Sequence, residues 1–287
     1  MKNIFTIALA AVLVISCQDK TKKDETTEVK TEVKAERIIS LNGAVTEVLA
    51  ALGESSHIVG VDVTSTYPED IKTTATDLGH VRSLSLESII ALQPTLIFAS
   101  DKDLNDELKN KITASGIQLE LVHQEYSEDG TAQMIAQVAK KLGKTNYAHL
   151  AAKIKSDLAQ LKPLEPKPTV LFIYARGAGT LMVAGTDTPV EKMITLAGGQ
   201  NAISEFSDYK PLTPESLIKG NPDVILMFTS GLGSLNGVEG LLKVDGIAAT
   251  KAGKNKNIIA MDGELLSGFG PRLGEAALEL NSLLSKK

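Results

Sequence analysis

The chain has 287 residues, 43% of them hydrophobic and 23% charged, which is enough length and apolar content for one large or two modest cores. Its formal net charge is −5, and no cluster of lysine and arginine is interleaved with aromatic residues. This composition excludes a disordered chain and a nucleic-acid-binding surface.

Residues 1–17 read MKNIFTIALAAVLVISC, one lysine followed by an apolar run from Ile4 to Ile15 and ending in the sequence's single cysteine. The run has the length of a secretory signal and is too short to span a bilayer comfortably. Val14-Ile15-Ser16-Cys17 resembles the lipobox of bacterial lipoproteins, which implies cleavage before Cys17 and lipid modification of that residue. Residues 18–36 alternate charges with no aromatic residue and are expected to form a solvated tether.

From Arg37 onward short β-branched runs alternate with helical patterns. Arg37–Ser40, Ile58–Val61, Thr95–Ala99 and Ile117–Val122 are predicted strands, separated by helices around Val45–Leu52, Glu87–Leu92 and Asp103–Ala114. This is the rhythm of a mostly parallel sheet, so 37–130 is predicted to be an α/β lobe. The segment 131–162 is predicted to be a helical connection broken near Gly143, with Thr145–Leu161 as a stiff strut about 25 Å long. The pattern restarts in 163–287, with predicted strands Thr169–Tyr174, Leu181–Ala184, Val224–Phe228 and Asn257–Met261. Asp187-Thr188-Pro189 is a helix start, and Gly198-Gly199 its stop.

The halves share an echo. Leu84, Glu87, Ser88, Ile90 and Pro94 recur as Leu212, Glu215, Ser216, Ile218 and Pro222, all at one offset, as expected for duplicated lobes. The fold class is therefore α/β, with two Rossmann-like lobes joined by a single long helix and a ligand cleft between them. No catalytic set stands out. His57, His80, His123 and His149 are scattered without zinc spacing, and there is neither a nucleophile elbow nor a Walker loop. Gly177-Ala-Gly179 lacks the remaining glycines of a dinucleotide fingerprint. The expectation is a binding protein and not an enzyme.

An exported lipoprotein of this layout resembles the substrate-binding proteins of ABC importers, in the rigid-helix class that serves cobalamin, siderophores and haem. Val59-Gly60-Val61-Asp62 with Thr64-Ser65-Thr66-Tyr67-Pro68, Gly79-His80-Val81-Arg82-Ser83-Leu84-Ser85, Met182-Val183-Ala184-Gly185, Ala197–Ala202, Gly237–Leu242 and Gly268-Phe269-Gly270-Pro271-Arg272 are similar to the haem-binding branch. The resemblance covers about Arg37 to Leu284.

It implies that Tyr67 is the axial ligand to haem iron, a hard anionic phenolate suited to the ferric state. Haem is then the transported ligand, with Arg82, Arg176, Ser230 and Arg272 in its pocket. Glu87 and Glu215 dock the two lobes onto an ABC permease dimer with its ATPase, and Cys17 holds the protein to a bacterial membrane by lipid alone, on the periplasmic side or the cell surface. Two departures matter. Some relatives place a second-lobe histidine where this chain has Arg176, so one haem held by tyrosine is expected. Others carry an arginine where this chain reads Thr229-Ser230-Gly231. The competing readings are a ferric-siderophore or cobalamin binder of the same fold, and a tetrapyrrole-processing enzyme with His80 as its only nearby base.

Overall fold

A computed structural model describes residues 37–179 and 181–286. The leader, Cys17 and the charged tether fall outside the described residues.

In the first lobe β1 (Ile38–Leu41), β2 (Ile58–Val61), β3 (Thr76–Asp77), β4 (Leu96–Ser100) and β5 (Gln118–Val122) pair in parallel in the order β3-β2-β1-β4-β5. Its helices are α1 (Gly43–Ala51), α2 (Ile71–Thr74), α3 (Leu86–Ala91) and α4 (Asp106–Ala114). The chain then passes through α5 (Glu128–Lys141) and α6 (Ala148–Leu158). The second lobe contains β6 (Thr169–Ala175), β7 (Leu181–Ala184), β8 (Gln200–Asn201), β9 (Tyr209–Pro211), β10 (Val224–Phe228) and β11 (Ile258–Met261). Its sheet runs β11-β10-β6-β7-β9 with β8 beside β6, and only β7 pairs antiparallel to its neighbours. Its helices are α7 (Pro189–Leu196), α8 (Pro214–Gly220), α9 (Thr229–Ser234), α10 (Gly237–Leu241), α11 (Lys251–Asn255), α12 (Gly263–Ser267) and α13 (Leu273–Leu284). The two-lobe α/β architecture is thus present, and the strands expected from β-branched runs fall within a residue or so of those observed. β3 was not anticipated, because two exposed residues carry no hydrophobic period.

Side chains alternate across both sheets and build three cores. Ile39, Leu41, Ile97 and Ala99 face a core private to the first lobe, and Leu171, Ile173, Ile225 and Met227 one private to the second. Ile38 and Phe98 on one sheet, and Phe172 and Leu226 on the other, face a single continuous core shared by both lobes. α1 explains how the sharing works: every residue from Gly43 to Leu49 is buried, so this helix lies inside the shared layer rather than on a surface.

The connection differs from the expected strut. α6 spans 11 residues, roughly 16 Å, because Thr145–Tyr147 lie outside the helix and the turn at Ala159–Leu161 tightens to i→i+3 hydrogen bonds. Stiffness comes instead from packing. Gly274 lets α13 lie against α6, where a β-carbon would come within 3.1 Å of the Ile154 carbonyl. The buried Asn281 on α13 donates to the carbonyls of Lys162 (2.8 Å) and Ala197 (3.0 Å), pinning the start of the second lobe.

The duplicated motif is visible as geometry. Ser85 Oγ accepts from the Ser88 amide at the start of α3 (3.1 Å), and Thr213 Oγ1 accepts from the Ser216 amide at the start of α8 (3.2 Å). Ser85→Ala and Thr213→Ala should each cost about 1 kcal/mol, seen as a lowered urea midpoint with unchanged slope, and the glycine variants only a few tenths.

Candidate functional site

The carboxyl ends of β1, β2, β4 and β5 open onto the loops that carry Asn42, Asp62–Tyr67, Asp101–Asp103 and His123–Tyr126. Those of β6, β10 and β11 open onto Arg176, Thr229-Ser230 and Asp262–Glu264. Such edges are where open α/β sheets bind ligands.

The loop after β2 is held at its base and free at its tip. Asp62, 2% exposed, accepts from Thr64 Oγ1 (2.7 Å) and Ser65 Oγ (2.8 Å). Thr64 Oγ1 also receives the Gly43 amide (2.9 Å), and the buried Ser65 hydroxyl sits 2.7 Å from Thr46 Oγ1, itself 2.8 Å from Ser40 Oγ. Four side chains from β1, α1 and the loop thereby satisfy one another in the interior. Two residues further on, Tyr67 is 41% exposed, with a cis bond to Pro68 and no hydrogen bond to its hydroxyl among the described residues.

One face of the Tyr67 ring is covered. The Arg272 guanidinium carbon lies 3.9 Å from the ring centroid, a cation–π arrangement. Arg272, at the start of α13, is fixed by a two-pronged bond to Glu47 on α1: Nε to Oε2 at 3.0 Å and Nη2 to Oε1 at 2.5 Å. Glu47 is 5% exposed, and burial pushes its carboxyl above the ordinary value against the pull of Arg272, which keeps its charge. This fork crosses between the lobes. Beside it the Gln124 amide donates to the Gly268 carbonyl (2.6 Å) and Thr131 Oγ1 to that of Phe269 (3.0 Å). Phe269 is buried at φ 52° with its ring edge-on to Tyr126 (5.4 Å).

Glu264 on α12 is half-buried as a residue, but its carboxyl end fills the space that β-carbons on Gly43 and Gly268 would take. Burial raises its pKa well above the ordinary value, and Glu47, Asp62 and Asp262 add to the effect while Arg272 opposes it.

The remaining expected site residues are placed as follows. Arg82 is exposed and lines a hollow of about 170 Å³ with Asp62, Val63, Thr64, His80 and Asp103. Arg176 and Ser230 are exposed just past β6 and β10, where the Gly177 amide donates to Ser234 Oγ (2.9 Å). Neither Arg82 nor Arg176 forms an ion pair among the described residues, whereas Arg272 does. So Tyr67 and Arg272 are brought into contact, while Arg82, Arg176 and Ser230 stand at cleft edges without bonding Tyr67. Glu87 and Glu215 sit outside the cleft, exposed in the first turns of α3 and α8. The Glu87 backbone amide, with the Ser85 hydroxyl, holds the Glu87 carboxyl below its usual range. A hollow of about 530 Å³ lined by Pro163, Glu165, Lys167, Lys251 and Asn257 lies at the opposite, amino ends of β6, β10 and β11, remote from Tyr67.

Three features escaped the sequence reading. Glu47 carried a usable signal, as the one charge in the helix GAVTEVLAA. Glu264 carried none. Six of the eleven aromatic residues, Tyr126, Phe172, Tyr174, Tyr209, Phe228 and Phe269, pack near the lobe junction in edge-on pairs, although they are scattered along the chain. Burial pushes the Tyr126 and Tyr209 hydroxyls up.

A carboxyl whose folded pKa lies above its unfolded value keeps its proton longer in the native state, so stability falls as pH rises from that unfolded value through the folded one. Glu264→Gln should therefore match the wild type near pH 4 and become progressively more stable than it above the ordinary value of 4.5, as measured by urea unfolding at pH 4, 6 and 8.

Known proteins bear on this geometry. The chain superimposes on the periplasmic heme-binding protein RhuT from Roseiflexus sp. RS-1 in apo form with a TM-score of 0.84 at 39% identity, covering 88% of this chain and 98% of that one. It is 27% identical over 303 residues to the uncharacterized ABC transporter substrate-binding lipoprotein YvrC of Bacillus subtilis, covering 96% of this chain and 93% of that protein. It is 30% identical over 199 residues to the vitamin B12-binding protein of Vibrio campbellii, covering 67% of this chain and 70% of that protein. These relatives are binding proteins, in keeping with a ligand-binding rather than catalytic role. The sequence model described as "Periplasmic binding protein" matches residues 38–265, and the chain belongs to that family.

Proposed function

We propose that the protein is the haem-capturing component of an ABC importer, taking ferric haem into the interlobe cleft on Tyr67 and presenting it to a membrane permease. The observation that carries this reading is the state of Tyr67: exposed, its hydroxyl without a partner among the described residues, and its ring capped by a guanidinium that Glu47 holds in place. An anionic phenolate is the ligand that ferric iron favours, and coordination displaces the hydroxyl proton. A fixed cation over the ring complements that negative charge. Val63, exposed on the same loop, offers apolar surface to a porphyrin face. Arg82 and Arg176, unpaired at opposite edges of the cleft, suit the two propionates. Arg272 takes the place beside the tyrosine that Thr229-Ser230-Gly231 leaves without an arginine. RhuT, described as heme-binding, supports the same ligand.

Glu87 and Glu215 suit permease docking because each is exposed on a capped first turn of the duplicated motif. Anchoring through Cys17, with export to the outer face of a membrane, is consistent with the lipoprotein description of YvrC. Cobalamin is the second reading, favoured by the aromatic cluster at the lobe junction and by the B12-binding relative.

Absorbance titration of the full chain in detergent with ferric haem tests the proposal. The first equivalent should saturate with a high-spin phenolate charge-transfer band that is absent in Tyr67→Ala. Arg272→Ala should weaken binding at least tenfold, and Arg176→Ala should change affinity while leaving the band in place. No saturable binding, or an unchanged spectrum and affinity in Tyr67→Ala, would overturn the haem assignment and turn attention to cobalamin and ferric siderophores.

A further inference from the structure

Three of the four histidines, His57, His80 and His123, have a hydrogen-bonded ring nitrogen, and they differ in what their rings can do. His80 Nδ1 accepts the Arg82 amide (3.2 Å), which leaves its Nε2 protonated in the neutral ring and therefore a donor. His57 Nδ1 is bonded to Glu54, but that carboxylate is shared with Lys144, and the ring lies at the amino end of β2, away from the ligand edge. His123 is unlike either. It follows β5 directly, and its Nδ1 lies 2.7 Å from Asp101 Oδ2, the residue that follows β4. The carboxylate accepts a hydrogen bond from Nδ1–H, so the neutral ring keeps that proton and presents a bare Nε2 lone pair.

The surroundings fit a metal-bearing ligand. The His123 side chain is 65% exposed, and the other Asp101 oxygen, Oδ1, is buried without a hydrogen-bond partner among the described residues. The oxygen that accepts from Nδ1–H, Oδ2, raises the basicity of the ring and so strengthens it as a ligand. Leu121, two residues back in β5 and 37% exposed, leaves apolar surface on that strand open to solvent. Among the described residues no group of three or more His, Cys, Asp or Glu could cage a free metal ion. A metalloporphyrin needs no cage, because the macrocycle supplies four nitrogens and one imidazole completes the site.

We propose that the Asp101–His123 pair is a second ligation point for ferric porphyrin, on the outer rim of the first lobe. This rests on the haem reading of the protein but not on Tyr67. β5 stands three places from β2 in the sheet order, about 14 Å between backbones at the usual strand spacing, so the pair is assigned its own porphyrin on a loop separate from that of Tyr67. Nε2 gives its lone pair to the ferric iron and displaces a bound water, while the Nδ1 proton stays on the ring, hydrogen-bonded to Asp101, and none is released. Sequence comparison directs attention to the second lobe for such a ligand, where this chain has Arg176. The rim histidine lies on the other lobe.

The test uses the full chain and ferric haem, with unfolding midpoints confirming that each variant is folded. Wild type should take two equivalents, the first with the phenolate band and the second with an imidazole-type spectrum. Tyr67→Ala should keep one equivalent with the imidazole spectrum, and Tyr67→Ala/His123→Ala none. Asp101→Asn in the Tyr67→Ala background should weaken this site about tenfold and lower the iron–imidazole stretching frequency of the reduced complex, which a merely structural role would not move. The proposal is overturned if folded Tyr67→Ala binds no haem while wild type shows its phenolate band, an outcome that leaves the cleft assignment standing. It is also overturned if the imidazole spectrum survives removal of His123. Loss of the phenolate band in wild type with retention of the His123-dependent spectrum would sink the cleft assignment and keep the rim site.

Discussion

The ion pair between Glu47 and Arg272 is the constraint on which the candidate site depends. A buried carboxylate in an otherwise apolar helix is costly to desolvate, and it is tolerable only because a guanidinium meets both oxygens in a fork. Because Glu47 belongs to the first lobe and Arg272 opens the last helix of the chain, the same bond that satisfies the charge also fixes how the lobes meet. It leaves a positive plate against Tyr67, the exposed tyrosine of the loop after β2.

The shared interior is what would limit hinge motion. Two separate lobes, each with its own core, would be joined only by their connection and would hinge on it. Here one face of each sheet contributes to a common core around α1, α5, α6 and α13, and main-chain carbonyls of Gly268 and Phe269 accept bonds from Gln124 and Thr131 across the junction. Opening the cleft would expose this layer, so the closing motions open to hinged binding proteins are restricted. The 11-residue α6 is a component of that arrangement and not a free-standing strut.

On the proposed reading, the two sheets divide the work of recognition. The first supplies a pinned loop, whose buried Asp62, Ser65 and Thr46 let the tip project a phenol without becoming slack. The second supplies aromatic and cationic walls from the carboxyl ends of β6 and β10. Both present the same kind of edge, and both carry the same capped first turn, with Glu87 in one half and Glu215 in the other.

Local rules were enough for much of this. Short continuous runs of Ile, Val, Leu and Phe marked the long strands, Thr188-Pro189 and Gly198 marked the ends of α7, and the echo around Glu87 and Glu215 marked the two halves. The exposed Tyr67 was legible because a tyrosine among short polar residues and before a proline has no apolar neighbours to pack with. What the sequence could not reveal were relations between distant positions: Glu47 with Arg272, Glu264 between Gly43 and Gly268, His123 with Asp101, and the assembly of six scattered aromatics at one junction. These depend on which faces of separate helices and strands come within a few ångströms. Hydrophobic pattern specifies that a face is buried, but only the packing of the shared core decides what it is buried against.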